Sequence, residues 1–137
     1  MPQDNQLPDK LPSTSHAIID LQHQALFEAA HQLLIHNQDD HDRSAVLDDY
    51  RQFRCLTLAN FQYEELALQQ CSDPLAEEHI NAHRRIMEQI DEVFNEAVTF
   101  TDLIAVVRTV MNNWLPNHID RYDVALIKRL EGKPKDD

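Results

Sequence analysis

Glycine occurs once in the 137 residues, at Gly132, and this scarcity constrains the fold more than any other feature of the chain. Glycine and proline are the residues that most often end helices and form tight turns. Three of the six prolines lie within the first twelve residues. The long stretches between these breakers are rich in Ala, Leu, Gln and Glu, which favour helix. The sequence therefore predicts an all-α protein.

Helical periodicity divides the chain into four predicted helices joined by short polar turns. They run over about residues 20–37, 41–70, 74–97 and 99–130. Short connections between successive helices predict an antiparallel up-down-up-down four-helix bundle. Pro116 lies within the fourth helix and is expected to kink it.

A chain of this length suffices for one domain with its own core. We expect residues 1–15 to form an extended N-terminal arm, which begins polar and contains three prolines. Residues 16–132 are expected to form the bundle, and residues 133–137 a frayed tail.

Each predicted helix places a polar residue or pair inside its apolar stripe. These residues are His23 in the first helix, Asn60 and Glu64 in the second, His79 and His83 in the third, and His118 and Asp123 in the fourth. Glutamate is rarely buried unless it is paired or bound to a metal. The neighbouring Glu65 is expected to be solvated. The same interruption in four stripes indicates a shared site, because bundle interiors are where helices assemble carboxylate and imidazole metal ligands.

His79 and His83 have the most informative spacing, since residues four apart lie one turn apart on one helix face. Taken alone, the pair is better explained as one satisfied core histidine and one at the edge, because a metal site needs more ligands. The other histidines are expected at the surface or in loops: His16, His31, His36 and His41.

The net charge limits the classes of partner. Twelve Lys and Arg against twenty-four Asp and Glu give a formal charge of −12, which repels nucleic acid and anionic membranes. No apolar run is long enough to span a bilayer, and the first residues lack a signal-peptide core. We therefore expect a cytoplasmic protein with neither nucleic-acid nor membrane partners, and a monomer.

Four segments, taken in this order, resemble those of hemerythrins, specifically the single-domain bacteriohemerythrins. They are residues 19–23 (Ile-Asp-Leu-Gln-His), 61–65 (Phe-Gln-Tyr-Glu-Glu), 79–83 (His-Ile-Asn-Ala-His) and 114–123 (Trp-Leu-Pro-Asn-His-Ile-Asp-Arg-Tyr-Asp), and the resemblance covers about residues 18–130. This family binds two irons bridged by an oxygen atom and two carboxylates, and takes up dioxygen reversibly at one iron. The resemblance implies a cofactor of two oxo- or hydroxo-bridged non-haem iron ions. It also implies dioxygen or another small diatomic molecule as the ligand.

Carried over by position, the resemblance assigns six metal ligands. These are His79, His83 and His118 on the first iron, His23 on the second, and Glu64 and Asp123 as bridges. Mixed imidazole and carboxylate ligation with an open position suits non-haem iron and oxygen chemistry. The choice of Asp123 over Asp120 depends on the resemblance, because five residues turn by about 140° on an ideal α-helix.

One position departs from the family pattern of His-Phe-x-x-Glu-Glu, because Asn60 occurs where the second iron's other imidazole is expected. An amide oxygen is a weaker donor for iron than imidazole. Three outcomes are open: Asn60 ligates through its oxygen, water fills the position beside a hydrogen-bonding Asn60, or the second iron is lost. Tyr63 is expected to point outward, and His31 lies about 12 Å along the helix from His23, so neither is a good substitute. We expect both irons to be retained, with the second held more weakly.

Phe61, Trp114 and Leu115 match apolar positions around the family's oxygen pocket. Packing alone explains Phe61 and Trp114 equally well. Leu115, about one turn before His118, is the better candidate to face the open iron position.

The resemblance implies a binding protein that captures dioxygen reversibly for delivery, storage or sensing, and not an enzyme. One alternative is a di-iron enzyme that reduces peroxide or activates oxygen. Another is a mononuclear iron protein with altered ligand binding, for example of nitric oxide. The third is a metal-free or zinc-bearing structural bundle.

Overall fold

The computed structural model describes residues 7–8, 10–38, 43–95 and 100–132, with only the backbone of Phe100. These ranges form four helical rods and contain no strand, which confirms the predicted all-α four-helix bundle. The first three rods are α1 (Ala17–Asn37), α2 (Arg43–Leu68) and α3 (Ala76–Asn95). The fourth rod, residues 100–132, contains α4 (Phe100–Thr109), a π-helical segment (Val110–Trp114), α5 (Leu115–His118), a second π-helical segment (Ile119–Asp123) and α6 (Val124–Gly132).

Two apolar clusters lie on either side of a polar layer. The smaller cluster contains Ile19 of α1, Ala67 and Leu68 of α2, and Leu126 and Ile127 of α6. The larger cluster contains residues of all four rods, among them Leu26 and Leu33 of α1, Tyr50 and Phe53 of α2, Ile86 and Ile90 of α3, and Val107 and Met111 of the fourth rod. Along α1 the chain passes from the smaller cluster through His23 to the larger, and along α2 it returns through Glu64. Successive rods therefore run antiparallel, and the polar layer crosses the bundle.

The start of α1 lies three residues before the predicted boundary. His16 caps the helix, because its Nδ1 accepts a hydrogen bond from the Ile19 N–H at 3.2 Å. Asp20 then ties the preceding segment to the first turn: its Oδ1 accepts from the Thr14 N–H at 2.9 Å and the Thr14 hydroxyl at 2.8 Å. Its Oδ2 accepts from the Ser13 hydroxyl at 2.9 Å. Burial raises the pKa of Asp20, but these hydrogen bonds outweigh burial and lower it below the usual value.

Replacing Asp20 by Asn is expected to lower the free energy of unfolding by about 1–2 kcal/mol at pH 7, because the variant loses charge-assisted hydrogen bonds. The folded-state pKa of Asp20 is lowered. Its contribution is therefore complete above the unfolded-state pKa of about 3.9 and is lost as the pH falls through the folded-state value. Urea titrations from pH 7 to pH 3 measure the difference between the two proteins, which should shrink at acid pH.

Asp48→Asn is the matched control for this experiment, because Asp48 is 72% exposed and pairs with Arg51 one turn away. Its effect should stay below about 0.5 kcal/mol. If the difference in the free energy of unfolding between Asp20→Asn and the unchanged chain does not depend on pH, the role given to the carboxylate is contradicted.

The other helix boundaries differ from the predicted ones by about two residues where they are described. α2 ends at Leu68, and α3 begins at Ala76. Asp73 caps α3, since its Oδ1 accepts from the Leu75 N–H at 2.9 Å and its carbonyl from the Ala76 N–H at 3.0 Å. The predicted starts of the second and fourth helices, the end of the third, His41, residues 1–6 and the tail at 133–137 lie outside the described residues. Leu7 and Leu11 of the predicted arm pack against the larger cluster.

The fourth rod accommodates Pro116 through wide turns. Proline has no N–H, and its ring crowds the carbonyl four residues earlier. On either side of Pro116, hydrogen bonds join residues five apart, as in a π-helix: the Leu115 N–H donates to the Val110 carbonyl, and the Val124 N–H donates to the Ile119 carbonyl. The structure thus has two π-helical segments where the sequence predicts a kink. Among the described residues, none of the helices is long and apolar enough to cross a membrane.

Candidate metal centre

The structure brings all six residues predicted as metal ligands together in the polar layer. Their exposed fractions are 0% for Glu64, His79 and Asp123, 2% for His23 and His83, and 4% for His118. Ligand atoms of five of them, all except His23, lie within 4.8 Å of one another. Burial of so many ionisable groups is unfavourable unless they neutralise each other or hold a cation.

One oxygen of each buried carboxylate contacts two members of a group of three imidazoles. Glu64 Oε1 lies 3.3 Å from His79 Nε2 and 3.1 Å from His83 Nε2. Asp123 Oδ1 lies 2.9 Å from His79 Nε2 and 3.3 Å from His118 Nε2. The Nε2 atoms of His83 and His118 are themselves 3.1 Å apart. We call His79, His83 and His118 the three-histidine group.

The second oxygen of each carboxylate faces His23. His23 Nε2 lies 3.3 Å from Glu64 Oε2 and 3.1 Å from Asp123 Oδ2. Glu64 and Asp123 therefore each present one oxygen to the three-histidine group and the other to His23. Two carboxylates placed in this way can bridge two metal ions.

The carboxylates and imidazoles shift each other's pKa values strongly. Burial lowers the pKa of His23 and of His79, but the adjacent carboxylates of Asp123 and Glu64 outweigh burial and raise both pKa values to about 9. Burial raises the pKa of Asp123 and of Glu64, yet the surrounding imidazoles hold the pKa of Asp123 well below its usual value and lower that of Glu64. For His118, burial and the charges of His83 and His79 lower the pKa. The two carboxylates thus stay ionised and attract cations, whether protons or metal ions.

The π-helical segment Ile119–Asp123 explains how His118 and Asp123 reach the same site. Its hydrogen bonds join residues five apart, so that residues at this interval lie one above the other along the rod. The wide turn brings Asp123 Oδ1 to 3.3 Å from His118 Nε2. Asp120, the other candidate, is exposed. A five-residue interval is thus compatible with one face when the helix is locally π-helical.

Aromatic rings cover the three-histidine group. Phe61 stacks on His83 with ring centroids 3.9 Å apart, and Trp114 stacks on His118 at 4.3 Å. Packing against these imidazoles is thus the observed role of both rings. Leu115 is 1% exposed and belongs to the larger apolar cluster. That Phe61, Trp114 and Leu115 line a pocket for a diatomic ligand stays a prediction.

A surface groove of about 540 Å³ between α3 and the fourth rod reaches this part of the site. Trp114, His118 and Tyr122 contribute to its lining. Tyr122 also stacks on His79 with ring centroids 5.2 Å apart. The groove is therefore a route by which small molecules can approach the three-histidine group.

Sequence reasoning missed two polar residues that pair with predicted site residues, Glu65 and Gln22. Glu65 Oε2 lies 2.8 Å from His83 Nδ1, and the Glu65 side chain is 34% exposed, so this carboxylate is partly solvated and also paired. A carboxylate on Nδ1 fixes the ring so that Nε2 faces the site. Gln22 Oε1 accepts a hydrogen bond from Asn60 Nδ2 at 2.7 Å. The only signal for either residue is its place beside a predicted ligand in the sequence.

Asn60 is 1% exposed and lies at the edge of the site. Its Nδ2 donates to Glu64 Oε2 at 3.0 Å as well as to Gln22. Tyr63 and His31, the two residues considered as substitutes for the missing imidazole, do not take its place. Tyr63 packs against the smaller cluster, and His31 is exposed. Of the remaining histidines, His16 caps α1 and the half-buried His36 pairs with Asp49.

The donor atoms fit a cationic metal. Both oxygens of Asp123 are buried and close to imidazoles, yet they are not aligned to accept hydrogen bonds from them. Carboxylate oxygens and imidazole nitrogens that converge in this way are the donors that iron prefers in non-haem sites.

Known proteins similar to this chain are bacteriohemerythrins. One from Campylobacter jejuni subsp. jejuni is 23% identical over 128 residues, covering 93% of this chain and 96% of the relative. One from Stenotrophomonas maltophilia is 26% identical over 108 residues, covering 79% of this chain and 70% of the relative. No family model matches the chain, and no solved structure matches it. The similarity and the buried cluster of histidine, glutamate and aspartate point to the same conclusion: the chain resembles the bacteriohemerythrins over most of its length, and its polar layer is a hemerythrin-like candidate for an iron site.

Proposed function

We propose that the chain binds dioxygen reversibly at a non-haem di-iron centre in the bundle interior. One observation carries the proposal: Glu64 and Asp123 each present one oxygen to the three-histidine group and the other to His23. This arrangement has places for two ions and a pair of bridges between them. The similarity to bacteriohemerythrins supports iron as the metal.

In this proposal the three-histidine group would hold the first iron, His23 the second, and Glu64 and Asp123 both. Reduced iron, when bound, supplies the electrons on which reversible dioxygen binding depends. Glu65 orients His83 through its Nδ1. The buried Phe61 and Leu115 side chains exclude water from their side of the site, which limits proton entry and so slows irreversible oxidation.

Counting iron in protein purified under nitrogen tests the centre, and cycling the sample between nitrogen and oxygen tests the function. We expect two irons per chain when iron is in excess, the second lost more readily, and a reversible change in visible absorption. If the chain instead holds one tightly bound iron that binds nitric oxide, the site is mononuclear and the proposal is wrong. Rapid irreversible oxidation with peroxide turnover would instead indicate an enzyme, and bound zinc without iron a structural bundle.

Iron binding is expected to release at least two protons per chain at pH 7, and one more if water supplies a bridging hydroxide. The pKa values of His23 and His79 are about 9 without a metal, so both imidazoles are protonated at pH 7 and must lose the proton to ligate. The apparent affinity for iron should therefore rise as the pH increases from 7 to 9. Ferrous iron added under nitrogen to weakly buffered protein, with a pH indicator, measures the release.

His31→Ala is the control for proton release, because His31 is exposed and outside the site. Its release should equal that of the unchanged chain. Iron binding without proton release at pH 7 would contradict the charge state given to His23 and His79.

A further inference from the structure

The side-chain amide of Asn60 donates both of its N–H groups to oxygen acceptors. Nδ2 lies 2.7 Å from Gln22 Oε1 and 3.0 Å from Glu64 Oε2. Asn60 Oδ1 is buried and has no hydrogen-bond partner among the described residues. The amide nitrogen, not the carbonyl, is therefore the part of Asn60 that contacts the bridging carboxylate.

Glu64 determines this orientation, and Gln22 Oε1 is placed to match it. An ionised carboxylate only accepts hydrogen bonds, so Glu64 Oε2 requires a donor at this distance. If the amide of Asn60 were turned over, Oδ1 would face Glu64 Oε2 and Gln22 Oε1, both of which are acceptors. Gln22 comes from α1 and Glu64 from α2, so the orientation is held from two rods.

We propose that Gln22 is a positioning residue that fixes Asn60 as a hydrogen-bond donor to Glu64, so that Asn60 orients a bridging carboxylate and does not ligate the second iron. The inference rests on the proposed function, because it takes Glu64 as a bridge. A carboxylate oxygen has more than one lone pair and can bind an ion while it accepts the hydrogen bond from Asn60. The iron position beside His23 is then left to a small ligand from solvent, water or hydroxide. The unpartnered Asn60 Oδ1, bonded to the same carbon as Nδ2, is an acceptor that the O–H of such a ligand can satisfy.

The first test is a double-mutant cycle on the affinity for the second iron, measured under nitrogen. Gln22→Met removes the acceptor at nearly constant length and should weaken binding about tenfold. Gln22→Glu keeps an acceptor oxygen and should remain close to the unchanged chain. Asn60→Leu should weaken binding as Gln22→Met does, and the double variant should be no weaker than Asn60→Leu, because Gln22 acts through Asn60.

An additive loss in the double variant, or unchanged affinity in Gln22→Met, would overturn the inference. A much larger loss in Asn60→Leu than in Gln22→Met would also overturn it, since that is the result expected of a ligand. Gln22 is half-buried on α1, and circular dichroism of each variant confirms that it has folded.

The second test does not depend on iron. In the full chain, with and without diamagnetic zinc, the side-chain NH₂ signal of Asn60 is identified by NMR as the one that Asn60→Leu removes. Gln22→Met should shift this signal and accelerate its exchange with solvent several-fold, and Gln22→Glu should preserve slow exchange. If Gln22→Met changes neither the position nor the exchange rate of this signal, the inference fails even in a chain that binds two irons. If the signal responds but no iron binds, the proposed function fails while the contact stands.

Discussion

Replacing Asn60 by His is expected to raise the affinity for the second iron about tenfold to a hundredfold, which is about 1.4–2.8 kcal/mol. Within the described ranges, His23 is the one imidazole on its side of Glu64 and Asp123, whereas three lie on the other side. An added imidazole is a stronger donor for iron than an amide. The variant should therefore keep two irons per chain through purification. Its affinity for dioxygen should also change, because the second iron is better ligated.

Ferrous iron titrations under nitrogen measure the affinity, and the visible spectrum under cycled oxygen reports ligand binding. The first iron should be unaffected, because the three-histidine group is unchanged. Asn60→Leu is the matched control: its side chain is similar in size to that of Asn and has no donor atom, so it should not raise the affinity. If neither iron content nor oxygen affinity changes in Asn60→His, the interpretation of Asn60 as a departure that weakens the second iron position is wrong.

The architecture could be predicted because its signals are local and repeated. Long breaker-free stretches and apolar stripes predict four rods, and short turns predict their antiparallel order. Helix starts were harder, because capping depends on individual side chains. His16 is not among the usual N-cap residues, yet its Nδ1 caps α1 and extends the helix to Ala17.

The six residues predicted as ligands could be singled out because a polar residue in an apolar stripe is conspicuous. The relation between His118 and Asp123 could not be derived from spacing, since that reasoning assumes 3.6 residues per turn. Pro116 lies between two π-helical segments, and the second of them changes the periodicity between His118 and Asp123. The choice of Asp123 therefore depended on the family resemblance and not on the periodicity.

The residues around the ligands could not be predicted from periodicity at all. Gln22 precedes a buried residue and Glu65 follows one, so each lies about 100° away from the core-facing direction of its helix. Whether such a residue reaches the site depends on the neighbouring rod. Glu65 of α2 meets His83 of α3, and Gln22 of α1 meets Asn60 of α2. Contacts of this kind follow from helix packing, which a single sequence does not specify.

Replacing Glu64 by Gln is expected to weaken binding of both irons more than a hundredfold, which is more than about 2.8 kcal/mol, and to leave the purified protein nearly free of iron. Glu64 is fully buried, and its two oxygens face imidazoles of two rods: His23 of α1, and His79 and His83 of α3. Glutamine keeps the shape but removes the negative charge, and its NH₂ group cannot ligate. One bridge is therefore lost from both ion positions at once.

Glu65→Gln is the matched control, since it makes the same chemical change at the next residue. Among the described residues, Glu65 contacts the site through His83 Nδ1, so loss of its charge should weaken binding of the first iron about tenfold and leave iron in the purified protein. Iron content after purification under nitrogen separates the two variants, and circular dichroism checks that both fold.

A metal-independent measurement accompanies the iron count for Glu64→Gln. Glu64 is one of the two carboxylates that raise the pKa values of His23 and His79 to about 9. Without its charge, both pKa values should fall toward the usual range near 6.5, because burial then opposes protonation with only Asp123 to offset it. NMR titration of the histidine ring protons in the metal-free chain follows this change. Two irons retained in Glu64→Gln, or histidine pKa values that do not fall, would show that Glu64 is not the shared carboxylate on which the two ion positions depend.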